Sequence, residues 1–106
     1  MSGSRTITED DGLLDNVHPG SILREDFLVG SEISLDEVVT GAGVEKRRLS
    51  DVLAEVYPVD ANMDLRLARY FGVSEGFFLG LQIDYDLEEE RRVHGRELAK
   101  IVPRAA

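Results

Sequence analysis

From residue 18 onward the apolar residues of this chain recur three and four positions apart, and no stretch alternates with period two. That spacing predicts five helices and no sheet. Ile22, Leu23, Phe27 and Leu28 line the first; Pro19 can open it without losing a needed N–H, and Gly30 closes it. The second starts at Ser34, an N-cap with Glu37 three residues later, which is a capping box. It carries Leu35, Val38 and Val39 on one face and ends in Gly41-Ala42-Gly43. The third, residues 45–56, turns Leu49, Val52, Leu53 and Val56 inward and Lys46, Arg47, Ser50, Asp51 and Ala54 mostly outward. Pro58 stops it, because the residue before a proline is pushed out of helical geometry. Asn62 caps a fourth helix, "MDLRLARYF", with Leu65, Leu67, Ala68 and Phe71 as burial candidates and Gly72 as its end. A fifth segment begins at Ser74. It is apolar at first (Phe77, Phe78, Leu79, Leu81, Ile83), then charged with Leu87, Val93, Leu98, Ile101 and Val102 recurring until Pro103. The links are short, and the fold class is all-α.

Residues 1–16 lack this periodicity and read as a flexible acidic arm ahead of one domain, residues 17–106. A chain of 106 residues supplies one core, not two. It has no cysteine, which removes disulfides, zinc-thiolate sites and thiol catalysis and suits a reducing compartment. No apolar run approaches membrane-spanning length, and "MSGSRTITEDD" lacks the apolar segment of a signal peptide. The expected location is the cytoplasm.

Helices two and three, joined through glycine, have the helix-turn-helix layout. Glycine permits the sharp turn, the second helix can enter a major groove, and Val44 and Leu49 would pin it to the bundle. Its outer side carries Lys46-Arg47-Arg48 in a chain of formal net charge -9. That balance opposes indiscriminate adhesion to nucleic acid, yet a specific reader depends on the potential at its contacting face. Two readings of the triplet stand: the wet side of an ordinary helix, or contacts to phosphate and base. Arg48 has Asp51 and Glu45 as alternative ion partners along the helix. Thr40 and Ser50 are either a helix-end and a surface hydroxyl or phosphate contacts; Asp51 would repel phosphate unless it accepts from a cytosine amino group.

"HPGSILREDFL", "GVEKRRLSDVL", "LRLARYFGVSEGFFLGLQIDYDLE" and "HGRELAKI" together resemble, in that order, the HigA (VapI-type) antitoxins of the lambda-repressor-like (XRE) helix-turn-helix family. The likeness runs without gaps from about residue 18 to residue 101. It implies a five-helix lambda-repressor-like domain with an extended C-terminal helix. It also implies a homodimer that neutralises a small RNA-cleaving toxin and represses the promoter the two share. Carried over residue by residue, operator reading falls to Glu45, Lys46, Arg47, Arg48, Ser50 and Asp51, with Thr40 as a contact from the preceding helix. No cofactor is implied, and no enzymatic activity. The chain departs from the family pattern at Leu35, where a phosphate-holding Gln is usual, and at Ala54-Glu55, where the recognition helix ends in Asn-Gly. It departs again at Asp60, in a loop that commonly carries basic residues, and at Leu79, where Trp is usual. These changes bear on the DNA face more than on the fold.

The other candidates are blander. "FFLGLQIDYDL" reads as core, with Phe77, Phe78, Leu81 and Tyr85 as its large members and some of its surface available to a two-fold dimer interface. Asp84, Asp86, Glu88, Glu89 and Glu90 read as a solvated helix face with Arg91 and Arg92 as partners, or as an acidic patch for a basic toxin. His18 and His94 lack any metal-site spacing, and His18 is expected to shape the entry to the first helix. No phosphate loop and no catalytic triad context is present. Three functions remain: an operator-binding antitoxin, a protein-interaction module of the same fold with weakened DNA binding, and a stand-alone transcription regulator.

Overall fold

The computed structural model describes residues 14–105. Residues 1–13 of the expected arm lie outside them. Five helical elements follow in order: α1 (Pro19–Ile22), which runs on without a break as a wider π-helical segment (Leu23–Val29), α2 (Leu35–Ala42), α3 (Lys46–Leu53), α4 (Ala61–Phe71) and α5 (Phe77–Ala99). The fold is all-α, as the spacing predicts. Among the described residues no helix is long and apolar enough to cross a membrane.

Local chemistry explains most of the helix starts. His18 caps α1: its Nδ1 accepts from the Gly20 N–H at 2.9 Å, and Pro19 fills the first turn. Ser34 and Glu37 form the expected capping box on α2. Gly43 closes α2 at φ 69°, a left-handed conformation that costs a glycine nothing. The π-helical stretch was not foreseen; in it the Gly30 N–H reaches back five residues to the Glu25 carbonyl at 2.9 Å.

Three boundaries differ from expectation. Helix α3 stops at Leu53 rather than 56, with Glu55 at φ 66° taking the left-handed position, so Val56 is 73% exposed instead of buried. Asp60, not Asn62, caps α4, accepting from the Met63 N–H at 2.9 Å. The inward face carries Met63, Asp64, Leu67 and Ala68, and Leu65 is 41% exposed. Helix α5 starts at Phe77 and ends at Ala99, four residues before Pro103, with a break in helical geometry at His94.

The core joins all five elements: Leu23, Leu28, Val38, Leu49, Val52, Leu67 and Phe78 are buried together. Phe27, Phe71, Phe77 and Phe78 form an edge-packed aromatic group around it. Two buried polar side chains stitch the bundle. The Asp64 carboxylate, 1% exposed, accepts from the Gly76 N–H at 2.6 Å and the Leu79 N–H at 2.9 Å, so α4 caps the start of α5. Gln82 accepts from the Val59 N–H and donates to Asp86, tying α5 to the link before α4. Ahead of α1, Asn16 donates to the Tyr85 carbonyl and to Glu89, which lays that segment along α5.

Candidate nucleic-acid interface

Helices α2 and α3 pack together across the Gly43-Val44-Glu45 turn. Val44, Leu49 and Val52 are buried, which locks the inner side of α3 and fixes the direction of its outer side. Glu45 is the N-cap residue and makes no side-chain capping bond; it is exposed. Lys46, Arg47 and Arg48 follow at about 100° intervals around the helix, so they cannot share one face. Lys46 leans toward α2, where its Nζ lies 3.0 Å from Asp36 Oδ1. Arg47 points outward, 84% exposed, with its Nε 3.6 Å from Asp51 Oδ2 one turn on. Arg48 turns toward the link before α4, where it pairs with Asp60 and stacks over the Tyr57 ring at 5.1 Å. Its partner is therefore neither Asp51 nor Glu45. The departure from the family pattern at Asp60 does structural duty here, capping α4 and holding Arg48 with one carboxylate. The Met63 N–H it caps, and then the Arg48 guanidinium, hold the Asp60 carboxyl below its usual range against the opposing effect of burial.

The structure thus brings Lys46, Arg47, Ser50 and Asp51 onto or beside the outer side of α3 and carries Arg48 away from them. Ser50 and Asp51 are half-buried. Thr40 is exposed on α2, one turn after Asp36, and faces an open cleft of about 490 Å³ with Glu37, Gly41 and Tyr70. Leu35, at the first position of α2, is half-buried against the core and offers no polar group.

One cation escaped the sequence reading. Arg66 of α4 reaches the motif's turn: Nη1 donates to the Gly43 carbonyl at 3.2 Å, and Nε to Asn62 Oδ1 at 3.0 Å. Between Pro19 and Phe71, among the described residues, it is the basic side chain without a carboxylate partner; Arg24, Lys46, Arg47, Arg48 and Arg69 each have one. Its sequence signal was weak, one of two arginines in "DLRLARYF", because its approach to Gly43 depends on how α4 crosses α2. A second open cleft, about 560 Å³, lies beside it between α2 and α4, with Asn62, Leu65, Arg69 and Tyr70 on its walls. Three carboxylates of α5 have partners on the same helix: Glu88 with Arg91 and Arg92, Glu90 and Glu97 with His94. Among the described residues, no group of three or more His, Asp or Glu is placed to hold a metal ion.

No protein-family model matches the chain. Individual relatives do. Virulence-associated protein I of Dichelobacter nodosus is 35% identical over 72 residues, 68% of this chain and 67% of that protein. The Pseudomonas aeruginosa antitoxin HigA, solved with the higBA promoter, superposes with a TM-score of 0.78 at 32% identity, covering 86% of this chain and all of that one. A Pseudomonas aeruginosa protein in complex with its operator DNA superposes with a TM-score of 0.80 at 32% identity, over 87% of this chain and 98% of that one.

Proposed function

The chain belongs to the HigA (VapI-like) antitoxins, helix-turn-helix proteins that are not enzymes, and from that premise we propose that it binds operator DNA upstream of its own gene and represses it, while neutralising an RNA-cleaving toxin by direct contact. The observation that carries the DNA half is Arg47: an outward guanidinium, 84% exposed beside Asp51, on a helix whose inner side, Leu49 and Val52, is wholly buried. A cation on so rigid a base is pre-oriented for a groove, and arginine is the commonest reader of guanine. Lys46 and Ser50 flank it, Glu45 and Asp51 border it, and in this reading Thr40 of α2 and Arg66 of α4 contact phosphate. Arg48 reaches DNA only by leaving Asp60. The protein acts as a homodimer through the apolar residues that α5 leaves exposed, Ile83, Leu87 and Leu98, so the operator is a palindrome with half-sites about 34 Å apart. The net charge of -9 suits a basic toxin, and the site of action is the cytoplasm.

The test is fluorescence anisotropy of the purified protein against its upstream DNA and a scrambled duplex, at two salt concentrations. Tighter binding to the upstream duplex that weakens with salt is expected, and Arg47→Ala should cost about 1–3 kcal/mol of it. Failure to bind either duplex overturns the DNA reading. It would leave the second one, a protein-interaction module with lost DNA affinity, which the pairing of every α3 cation with a carboxylate favours.

A further inference from the structure

The three cations of α3 meet three carboxylates from three different places. Asp36 comes from α2, Asp51 from α3 itself and Asp60 from the link before α4. Only the Arg47–Asp51 pair has the one-turn spacing that any helix offers; the other two require the assembled bundle. Resting on the operator-binding reading above, we propose that Asp36, Asp51 and Asp60 are built-in phosphate mimics that occupy the reading helix in the free protein and so set its specificity by suppressing binding to arbitrary DNA.

The reason is one of counterions. A free lysine or arginine that lands on phosphate releases condensed cations from the DNA, and that release supplies most of nonspecific affinity. A cation already held by a tethered carboxylate must first break its pair, and the displaced carboxylate stays beside the phosphate and repels it. Arbitrary DNA offers little in return. On the operator Arg47 turns from phosphate to a base edge and Asp51 can accept from a cytosine amino group, so the repulsion that arbitrary DNA meets is relieved there. The carboxylates therefore lower both affinities but raise their ratio. Two of the three also serve the fold: Asp36 sits in the first turn of α2, where a negative charge is favoured, and Asp60 caps α4. Asparagine is as good a cap as aspartate, so the charge can be removed without removing the cap.

The experiment compares the full chain with the triple variant Asp36→Asn, Asp51→Asn, Asp60→Asn, and with a control, Asp15→Asn, Asp26→Asn, Asp84→Asn. The control changes net charge equally at exposed positions that pair with no cation of α3. Affinity for the upstream and scrambled duplexes is read across a salt series. An exposed pair is worth roughly twofold, so the triple variant should bind the scrambled duplex about tenfold tighter. Its log–log salt slope should steepen by up to about 0.9 for each cation released, and the control's slope should not change. Gain on the upstream duplex should be smaller. Scrambled-duplex binding by the triple variant alone, with the wild type bound only to the upstream duplex, also supports the proposal, as masking carried to completion. Scrambled-duplex affinity and slope equal to those of the wild type, or matched by the control, overturn the proposal while leaving operator binding intact. If no variant binds either duplex, the operator reading falls and the proposal with it. Should the triple variant melt early, Asp51→Asn alone carries the same comparison, since that side chain caps no helix.

Discussion

Helix α3 and the far half of α5 carry similar apolar stripes and meet opposite fates. On α3, Leu49 and Val52 are buried completely against α1, α2 and the core. On α5, Phe78 is buried as completely, but Ile83 is half exposed, Leu87 and Leu98 follow suit, and Val93 stands mostly in solvent. Length explains the divergence. Helices α2 to α4 are about 12–17 Å long, whereas the 23 residues of α5 extend about 34 Å, beyond anything the bundle can set against them. Past Glu89 and Arg92, which hold Asn16 and the Leu14 carbonyl, the helix is mostly exposed among the described residues. The same pattern therefore means core in one place and an unfilled surface in the other, and periodicity alone does not tell them apart.

The sharpest test is a pair of truncations. Leu49→Ala should cost about 2–5 kcal/mol in urea unfolding, whereas Leu87→Ala, measured at low protein concentration, should cost under about 0.5 kcal/mol. A large loss at Leu87 under those conditions would mean that α5 is covered within one chain after all. Leu87→Arg should leave the dilute protein's melting point unchanged and weaken self-association in sedimentation equilibrium. Next in size is the seam between α1 and α3. A methyl group on Gly20 would lie 1.8 Å from the Val52 carbonyl oxygen, so the backbones must part. Gly20→Ala should destabilise by about 2–3 kcal/mol.

His18 marks where the packed region meets α5, with its ring edge against Tyr85 at 4.9 Å between centroids. Burial pushes its pKa below 6.5, against the pull of Glu55 and Asp86. The unfolded chain then binds the proton more tightly, so the stabilisation is whole above pH 6.5 and is lost as pH falls below that value. Protonation would also occupy the Nδ1 that accepts from Gly20. Thermal melts should drop by a few degrees between pH 7 and pH 5, and His18→Asn, which keeps a capping oxygen, should flatten that window. The smallest effect belongs to the end of α3. Glu55 holds a left-handed φ of 66° with its carboxylate 3.2 Å from Arg24. Glu55→Gly relieves the backbone and loses an exposed pair, for a net gain of about 0.5 kcal/mol. A loss instead would show that the Arg24 pair outweighs the strain.

Much of this fold was legible in the sequence because helices are specified locally. The capping box at Ser34 and Glu37, the proline start at Pro19, the glycine at the motif's turn and the inward Leu49 and Val52 all act within a turn or two of themselves. The position of α3, the second helix of the motif, was legible for the same reason. Errors arose where a local signal had a competitor. Asn62 could cap α4, but Asp60 does, and on the inward face of that helix Asp64 takes the place that Leu65 was expected to hold. Pro58 could stop α3, but the chain turns earlier at Glu55.

What the sequence determined by itself was five helices, their polar and apolar sides, and a helix-turn-helix with three cations on its second helix. What only the tertiary structure decided was who meets whom: Lys46 with Asp36, Arg48 with Asp60 and Tyr57, Arg66 with the Gly43 carbonyl, Asp64 with the start of α5. The physical reason is range. Periodicity and capping act between residues a few positions apart, whereas charge pairing across elements depends on the angles at which packed helices cross, and those are set by the core as a whole.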